Sequence, residues 1–306
     1  MRNAFADEVT QIAKVDPRVV LLSGDIGNRL FDQLRAQRPS QFLNCGVAEQ
    51  NMMGVAAGMG LSGLRPIVYT ITPFTTVRCL EQIKVDVAYH ESPVIIVGTG
   101  SGLSYASLGP THHSLEDFAI FRAIPNLQLF SPWDAPSLRA CLRMALESGR
   151  PTYMRIGKKG EADLCEGRAV PAVGNGLVLL TGKQLCILAV GTVAQEVMAA
   201  ARTLRQQGIE AEVVLTHTVK PCPTVLFDDL LSRFDCFVTV EEHARIGGFG
   251  ESFLSHLALQ GLQKRVISLG TSDSFMPMVG SQEFARSHFG IDATSIVASA
   301  HALLRS

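Results

Sequence analysis

Pro66-Ile67-Val68-Tyr69-Thr70 and Pro93-Val94-Ile95-Ile96-Val97 are two short runs of apolar, largely β-branched and aromatic residues. Runs of this length read as strands, and apolar character on both faces is what a strand buried inside a parallel sheet requires. Between them Val77, Leu80, Ile83, Val87 and Ala88 recur at helical spacing, which predicts a helix over Val77 to Tyr89. Strand, helix and strand in succession make a parallel crossover unit.

The same alternation extends in both directions. Arg18 to Ser23 reads as a strand ending at the turn Gly24-Asp25, Val47 to Gly60 as a helix, and Gly98 to Pro110 as a loop rich in Gly and Ser. Ser114 to Ile124 follows as a helix, Leu127 to Phe130 as a strand, Ala135 to Ser148 as a helix and Thr152 to Ile156 as a strand. Lys158 to Asn175 breaks the pattern, and residues 161–183 read as a linker. From Gln184 the alternation restarts, with strands at 185–190, 209–215, 234–240 and 265–269 and helices at 193–207 and 247–259. The fold class expected is α/β, with two doubly wound domains at 1–160 and 184–306.

Composition narrows the function classes. Of 306 residues 47% are hydrophobic and 18% charged, and the net charge is -1, so neither a basic nucleic-acid face nor a polybasic membrane patch is expected. The longest apolar runs are too short to span a bilayer, and the first residues lack an apolar signal core. Seven cysteines without a Cys-x-x-Cys pair read as small buried hydrophobes in a reducing compartment, so a cytoplasmic location is expected. No zinc spacing is present, and no residue is assigned to a metal. Gly98-Thr-Gly100-Ser-Gly102 lacks the full dinucleotide fingerprint. Gly247, Gly248 and Gly250 allow a packed turn or a helix start whose N–H groups hold an anion.

Asn44-Cys-Gly-Val-Ala-Glu49-Gln50-Asn-Met-Met-Gly-Val-Ala-Ala-Gly-Met-Gly60 sets one carboxylate in a stretch that is otherwise small, apolar or amide-bearing. An isolated carboxylate there is costly to ionise, which predicts a raised pKa. A Glu in the first turn of a helix also serves as an ordinary dipole partner.

This stretch resembles the pyrimidine-binding segment of thiamine diphosphate enzymes, in particular the transketolase family. Other segments match the same family in the same order. Gly109-Pro110-Thr111-His112-His113 is similar to its substrate-channel run. Thr70 to Arg78 is similar to the segment that supplies a stacking aromatic residue. Val219-Lys220-Pro221 and Glu241-Glu242-His243 are similar to its C-terminal domain. The resemblance implies that Glu49 bonds N1' of the cofactor's aminopyrimidine and so controls its tautomer, with Gln50 beside it, and that Phe74 stacks on the ring. It implies that His112 serves the substrate's oxygens, with His113 a weaker candidate. Arg78 reads as a substrate ligand or as the partner of Glu81 or Glu116, and Glu116-Asp117 as a helix-start pair. An Arg that holds sugar phosphate in the family falls near Lys158.

Two departures bear on substrate. The family's Asp before Gly-Pro-Thr-His is Leu108, and a family His falls on Gly100. The family's metal and diphosphate motif, whose oxygens suit Mg2+, does not occur in the sequence. The resemblance therefore implies a beta-type subunit that takes thiamine diphosphate together with an alpha-type partner holding Mg2+, in an alpha2beta2 assembly. The expected reaction is two-carbon ketol transfer on a specialised sugar. The alternatives are an acyl-transfer enzyme, of deoxyxylulose phosphate synthase type or a 2-oxo acid dehydrogenase beta subunit, and a non-catalytic homologue.

Overall fold

The structure is a computed structural model that describes residues 1–27 and 29–305. In chain order its strands are β1 (Val19–Ser23), β2 (Phe42–Asn44), β3 (Arg65–Ile71), β4 (Ile95–Thr99), β5 (Gln128–Phe130) and β6 (Thr152–Ile156). They continue with β7 (Leu177–Leu180), β8 (Leu185–Val190), β9 (Ala211–Thr216), β10 (Thr218–Lys220), β11 (Cys236–Ala244) and β12 (Arg265–Thr271). One sheet has the order β10-β5-β6-β4-β3-β1-β2 and the other β12-β11-β8-β9-β7. Pairing is parallel except at one edge of each sheet, where β10 joins β5 and β7 joins β9 antiparallel.

Burial on both faces explains the apolar strands. Val68 and Ile96 enter one core, while Ile67, Tyr69, Ile95 and Val97 enter the core on the opposite face. Successive side chains of a strand point to opposite faces, so each core takes alternate residues. The Ala135–Ser148 helix has clear ends. Asp134 accepts from the Ser137 N–H at 2.9 Å, and Gly149 closes the helix at φ 62°.

Three expectations are corrected. Val77 to Tyr89 is not one regular helix. A 3-10 turn at Val77–Cys79 and a short helical turn at Leu80–Gln82 lead into a π-helical segment at Ile83–Tyr89. Ile83, Val87 and Ala88 of the π turn enter the core, while Val77, in the 3-10 turn, is 48% exposed. The stretch 161–183 contains a strand, β7, because Leu177 and Val178 pair with Leu215 and Val214. The second half of the chain also lends β10 to the first sheet. No helix among the described residues is long and apolar enough to cross a membrane.

In the first sheet the chain steps from β1 outward to β2 and then back across β1 to β3. The ends of β1 and β3 therefore border the crevice of a topological switch, where α/β sheets hold ligands. Glu49 and Phe74 both lie in segments that leave this edge.

Candidate active site

Glu49 is the first residue of the Glu49–Leu61 helix that follows β2. It is 4% exposed. Gly24, after β1, lets it sit close, since a Cβ there would meet Thr70 at 3.1 Å and the Glu49 Cγ at 3.5 Å. Glu49 is not an isolated carboxylate. Its Oε2 lies 2.8 Å from Nη1 of Arg78. The N-cap residue is Ala48, whose side chain makes no cap bond, and the Glu49 carboxylate stands in the first turn of the helix. Arg78 thus pairs with Glu49, and neither Glu81 nor Glu116 is its partner.

The Arg78 guanidinium carbon stands 4.0 Å over the ring of Phe74. Gln50 donates from Nε2 to the Arg78 carbonyl at 3.0 Å, which ties the Arg78 backbone to the first turn of the Glu49 helix. Phe74 also meets the His112 ring edge-on, with centroids 5.4 Å apart. His112 in turn lies 6.0 Å from the ring of Tyr105 and shares a 2.9 Å hydrogen bond with the Thr111 hydroxyl. Lys158 Nζ sits 4.6 Å over the Tyr105 ring. Glu49, Arg78, Phe74, His112, Tyr105 and Lys158 therefore form one continuous line of contacts along the crevice. The line offers a buried carboxylate, an aromatic face, an imidazole and two cations.

A flat sp2 group fits between Glu49 and Phe74, because the guanidinium of Arg78 already lies there. The slot's aromatic wall and the carboxylate at its edge are the kinds of group an aminopyrimidine ring would meet. The pattern of the transketolase pyrimidine-binding domain matches residues 1–160, and that of the transketolase C-terminal domain matches residues 174–296. The chain belongs to the transketolase family. It is 32% identical over 297 residues to an apulose-4-phosphate transketolase subunit of Phocaeicola vulgatus, covering 96% of this chain and 94% of that one. It is also 32% identical to a 6-deoxy-6-sulfo-D-fructose transketolase subunit of a Clostridium species, covering 98% and 93%. A solved split-gene transketolase, described as an inactive beta4 tetramer, superposes with a TM-score of 0.89 at 30% identity over 99% of this chain and 97% of that one. The chain thus matches the C-terminal subunit of a split transketolase, and membership implies dependence on thiamine diphosphate.

The transketolase resemblance places a histidine at the position of Gly100, and the structure shows why none stands there. Gly100 has φ +78°, and a Cβ on it would run into the Tyr105 ring. Tyr105, which sequence reasoning missed, fills that space and is 7% exposed. Burial pushes its phenol above the ordinary value of 10.0.

His113 does not share the Phe74 face with His112. It is 5% exposed and lines a cavity with Arg245 and Met276 at the seam with the second sheet, and burial pushes its imidazole below the ordinary 6.5. Leu108 ends the 3-10 turn Ala106–Leu108 and is 51% exposed.

Two carboxylates of Glu241-Glu242-His243 act inside the fold. Glu241 accepts from the Phe249 and Gly250 N–H groups at 2.7 and 2.8 Å, so the anion at that glycine turn is the chain's own side chain. Glu242 accepts from the Leu103 N–H at 2.6 Å and from Arg286 Nε at 2.6 Å, which ties the channel loop to the second sheet. Asp117 opens the helix Asp117–Arg122 with Glu116 as its N-cap, as expected of a helix-start pair, and it also has partners inside the fold. It is buried, bonded to Arg155 at 2.9 Å and to the Tyr153 hydroxyl at 2.6 Å.

Proposed function

We propose that this chain is the beta-type subunit of a thiamine diphosphate-dependent transketolase that moves a two-carbon ketol unit to or from a specialised sugar. The observation that carries the reading is the slot between Glu49 and Phe74, where one guanidinium bonds a buried carboxylate and stacks on an aromatic ring that His112 also touches edge-on. Relatives named for apulose 4-phosphate and for a sulfonated deoxyfructose support an unusual sugar.

In this reading Glu49 holds the ring nitrogen of the aminopyrimidine through a proton on its carboxyl, and Phe74 fixes the ring plane. When bound, thiamine diphosphate supplies an electron sink for the carbanion formed beside the donor's carbonyl. His112 is placed to donate to, or take a proton from, the donor's oxygens. Lys158 holds an anionic group at the far end of the line, with Tyr105 packing beneath it. Leu108 borders the donor's hydroxyls.

Mg2+ and the diphosphate belong to an alpha-type partner, because the sequence has no motif for them. An alpha2beta2 assembly places the crevice of this chain against that partner. The cysteines are all unpaired, in keeping with a cytoplasmic enzyme.

The test is reconstitution. This chain, combined with an alpha-type subunit of a split transketolase, Mg2+ and thiamine diphosphate, should transfer ketol units from at least one ketose phosphate or deoxyketose in a donor panel. Glu49→Gln in the same complex should not. A loaded, assembled complex that turns over no donor overturns the reading.

A further inference from the structure

Arg78 occupies the slot that the site needs for its cofactor. Its planar guanidinium stacks on Phe74 at 4.0 Å and bonds Glu49 at 2.8 Å, the two contacts assigned above to the aminopyrimidine. Gln50 fixes the Arg78 carbonyl at 3.0 Å, so the backbone is anchored and only the side chain is free to leave. That side chain is 41% exposed, against 4% for Glu49. Withdrawal into solvent therefore disturbs no core packing.

From this geometry we infer that Arg78 is a built-in competitor for the pyrimidine, a side-chain plug that keeps the slot filled and Glu49 paired until cofactor displaces it. The inference rests on the transketolase reading of the slot and goes beyond it. A buried carboxylate facing an empty crevice is costly, and a nearby guanidinium removes that cost. The guanidinium copies the plane of the ring and reverses the hydrogen-bond polarity. Glu49 accepts from Arg78, whereas a carboxyl bonded to a ring nitrogen has to donate. Exchange of plug for ring therefore changes what Glu49 carries as well as what it touches. A flat cation is the right occupant, since Arg stacks on aromatic faces and matches carboxylates in one rigid fork, which Lys does not.

The test uses the full chain and the aminopyrimidine half of the cofactor alone, 4-amino-5-hydroxymethyl-2-methylpyrimidine, which needs no diphosphate site. Calorimetric titration should show Arg78→Ala binding this fragment roughly 10-fold more tightly than wild type, equivalent to about 1.4 kcal/mol. Methylguanidinium should compete with the fragment in Arg78→Ala and not in wild type. Glu49→Gln added to Arg78→Ala should abolish the gain. Melting curves verify folding, and Arg78→Gln replaces Arg78→Ala where the alanine variant does not fold. Equal or weaker binding by the Arg78 variants overturns the plug. If the fragment binds wild type and variants equally but still requires Glu49, the transketolase reading survives that result. If no variant binds it and the assembled complex also fails to take up thiamine diphosphate, both are overturned.

Discussion

The carboxylate of Glu242, on β11, accepts a hydrogen bond at 2.6 Å from the N–H of Leu103, in the loop that carries Tyr105 and His112. Gly102 makes this approach possible, because a Cβ there would meet Glu242 at 2.6 Å. One side chain of the second sheet thus sets the position of the channel loop on the first.

Glu242→Ala removes this bond and leaves Arg286, whose side chain is 8% exposed, without its Nε acceptor. Breaking one side of a buried pair costs about 3–5 kcal/mol. Urea denaturation should show a loss of that order, with faster hydrogen exchange in residues 98–116. Glu242→Gln keeps an oxygen for Leu103 and should lose less. A stable Glu242→Ala with unchanged exchange would show that the loop is held elsewhere.

The chain alone should bind thiamine diphosphate weakly, since it offers the pyrimidine side of a pocket and no diphosphate or Mg2+ motif. Calorimetry should give tight, Mg2+-dependent binding only after an alpha-type subunit is added. Micromolar or better affinity in the isolated chain contradicts this.

Glu49→Gln keeps the side chain's size and removes the carboxyl proton that a ring nitrogen requires. In the assembled complex it should nearly abolish exchange of the cofactor's C2 proton while the melting curve stays cooperative. NMR exchange at the wild-type rate in a folded variant removes Glu49 from the mechanism.

Glu241 and His243 make opposite contributions to stability against pH. Burial raises the Glu241 carboxyl from 4.5 to about 7, against the lowering effect of the Gly250 and Phe249 N–H groups. Burial lowers the His243 imidazole from 6.5 to about 4, against the pull of Asp117. The Glu241 contribution is complete below pH 4.5 and is lost as pH rises through about 7. The His243 contribution is complete above pH 6.5 and is lost as pH falls through about 4. Between 4.5 and 6.5 the folded chain keeps one proton that the unfolded chain lacks and lacks one that it keeps, so the two slopes cancel. His243→Gln removes one of them. Across that window the stability of wild type should rise relative to the variant by about 1.4 kcal/mol per pH unit. Parallel urea-denaturation curves for the two proteins would refute the assignment.

What the sequence displayed was whatever depends on neighbours along the chain. The strands around Ile67 and Ile95 were legible because burial on both faces forces unbroken apolar runs, and the Ala135–Ser148 helix because it carries its own cap at Asp134 and stop at Gly149. β10 was not, since Thr218–Lys220 becomes a strand only by pairing with Leu129 and Phe130, which lie far away in sequence. Glu49, Phe74 and His112 stood out by their motifs. The Arg78–Glu49 pair did not, because Glu81 offered a partner at helical spacing and the broken helix after Thr76 turns Arg78 the other way. Tyr105 left a single faint signal, a glycine at position 100 where a side chain was expected.

Leu108 determines the last prediction. It ends the turn before Gly109-Pro110-Thr111-His112, where ordinary transketolases carry an Asp that accepts from a donor hydroxyl, and it is 51% exposed here. A leucine accepts no hydrogen bond, so a hydroxyl covered by it loses water without replacement, at a cost of about 1–3 kcal/mol. That corresponds to a roughly 5- to 150-fold loss in kcat/KM for a donor with the ordinary hydroxyl pattern. Wild type, assembled with its partner, should therefore use xylulose 5-phosphate poorly and prefer a donor with a deoxy or methyl carbon at that position. Leu108→Asp should shift the preference back toward xylulose 5-phosphate, because the carboxylate restores the acceptor. His112→Ala should lower kcat/KM for both donors, since in the proposed role its imidazole serves the donor's oxygens in either case. The measurement is kcat/KM for the donor pair with each variant. Equal use of xylulose 5-phosphate and the best alternative by wild type would remove Leu108 from specificity. A Leu108→Asp variant with unchanged preference would do the same, because the site would then recognise the donor through groups other than this turn.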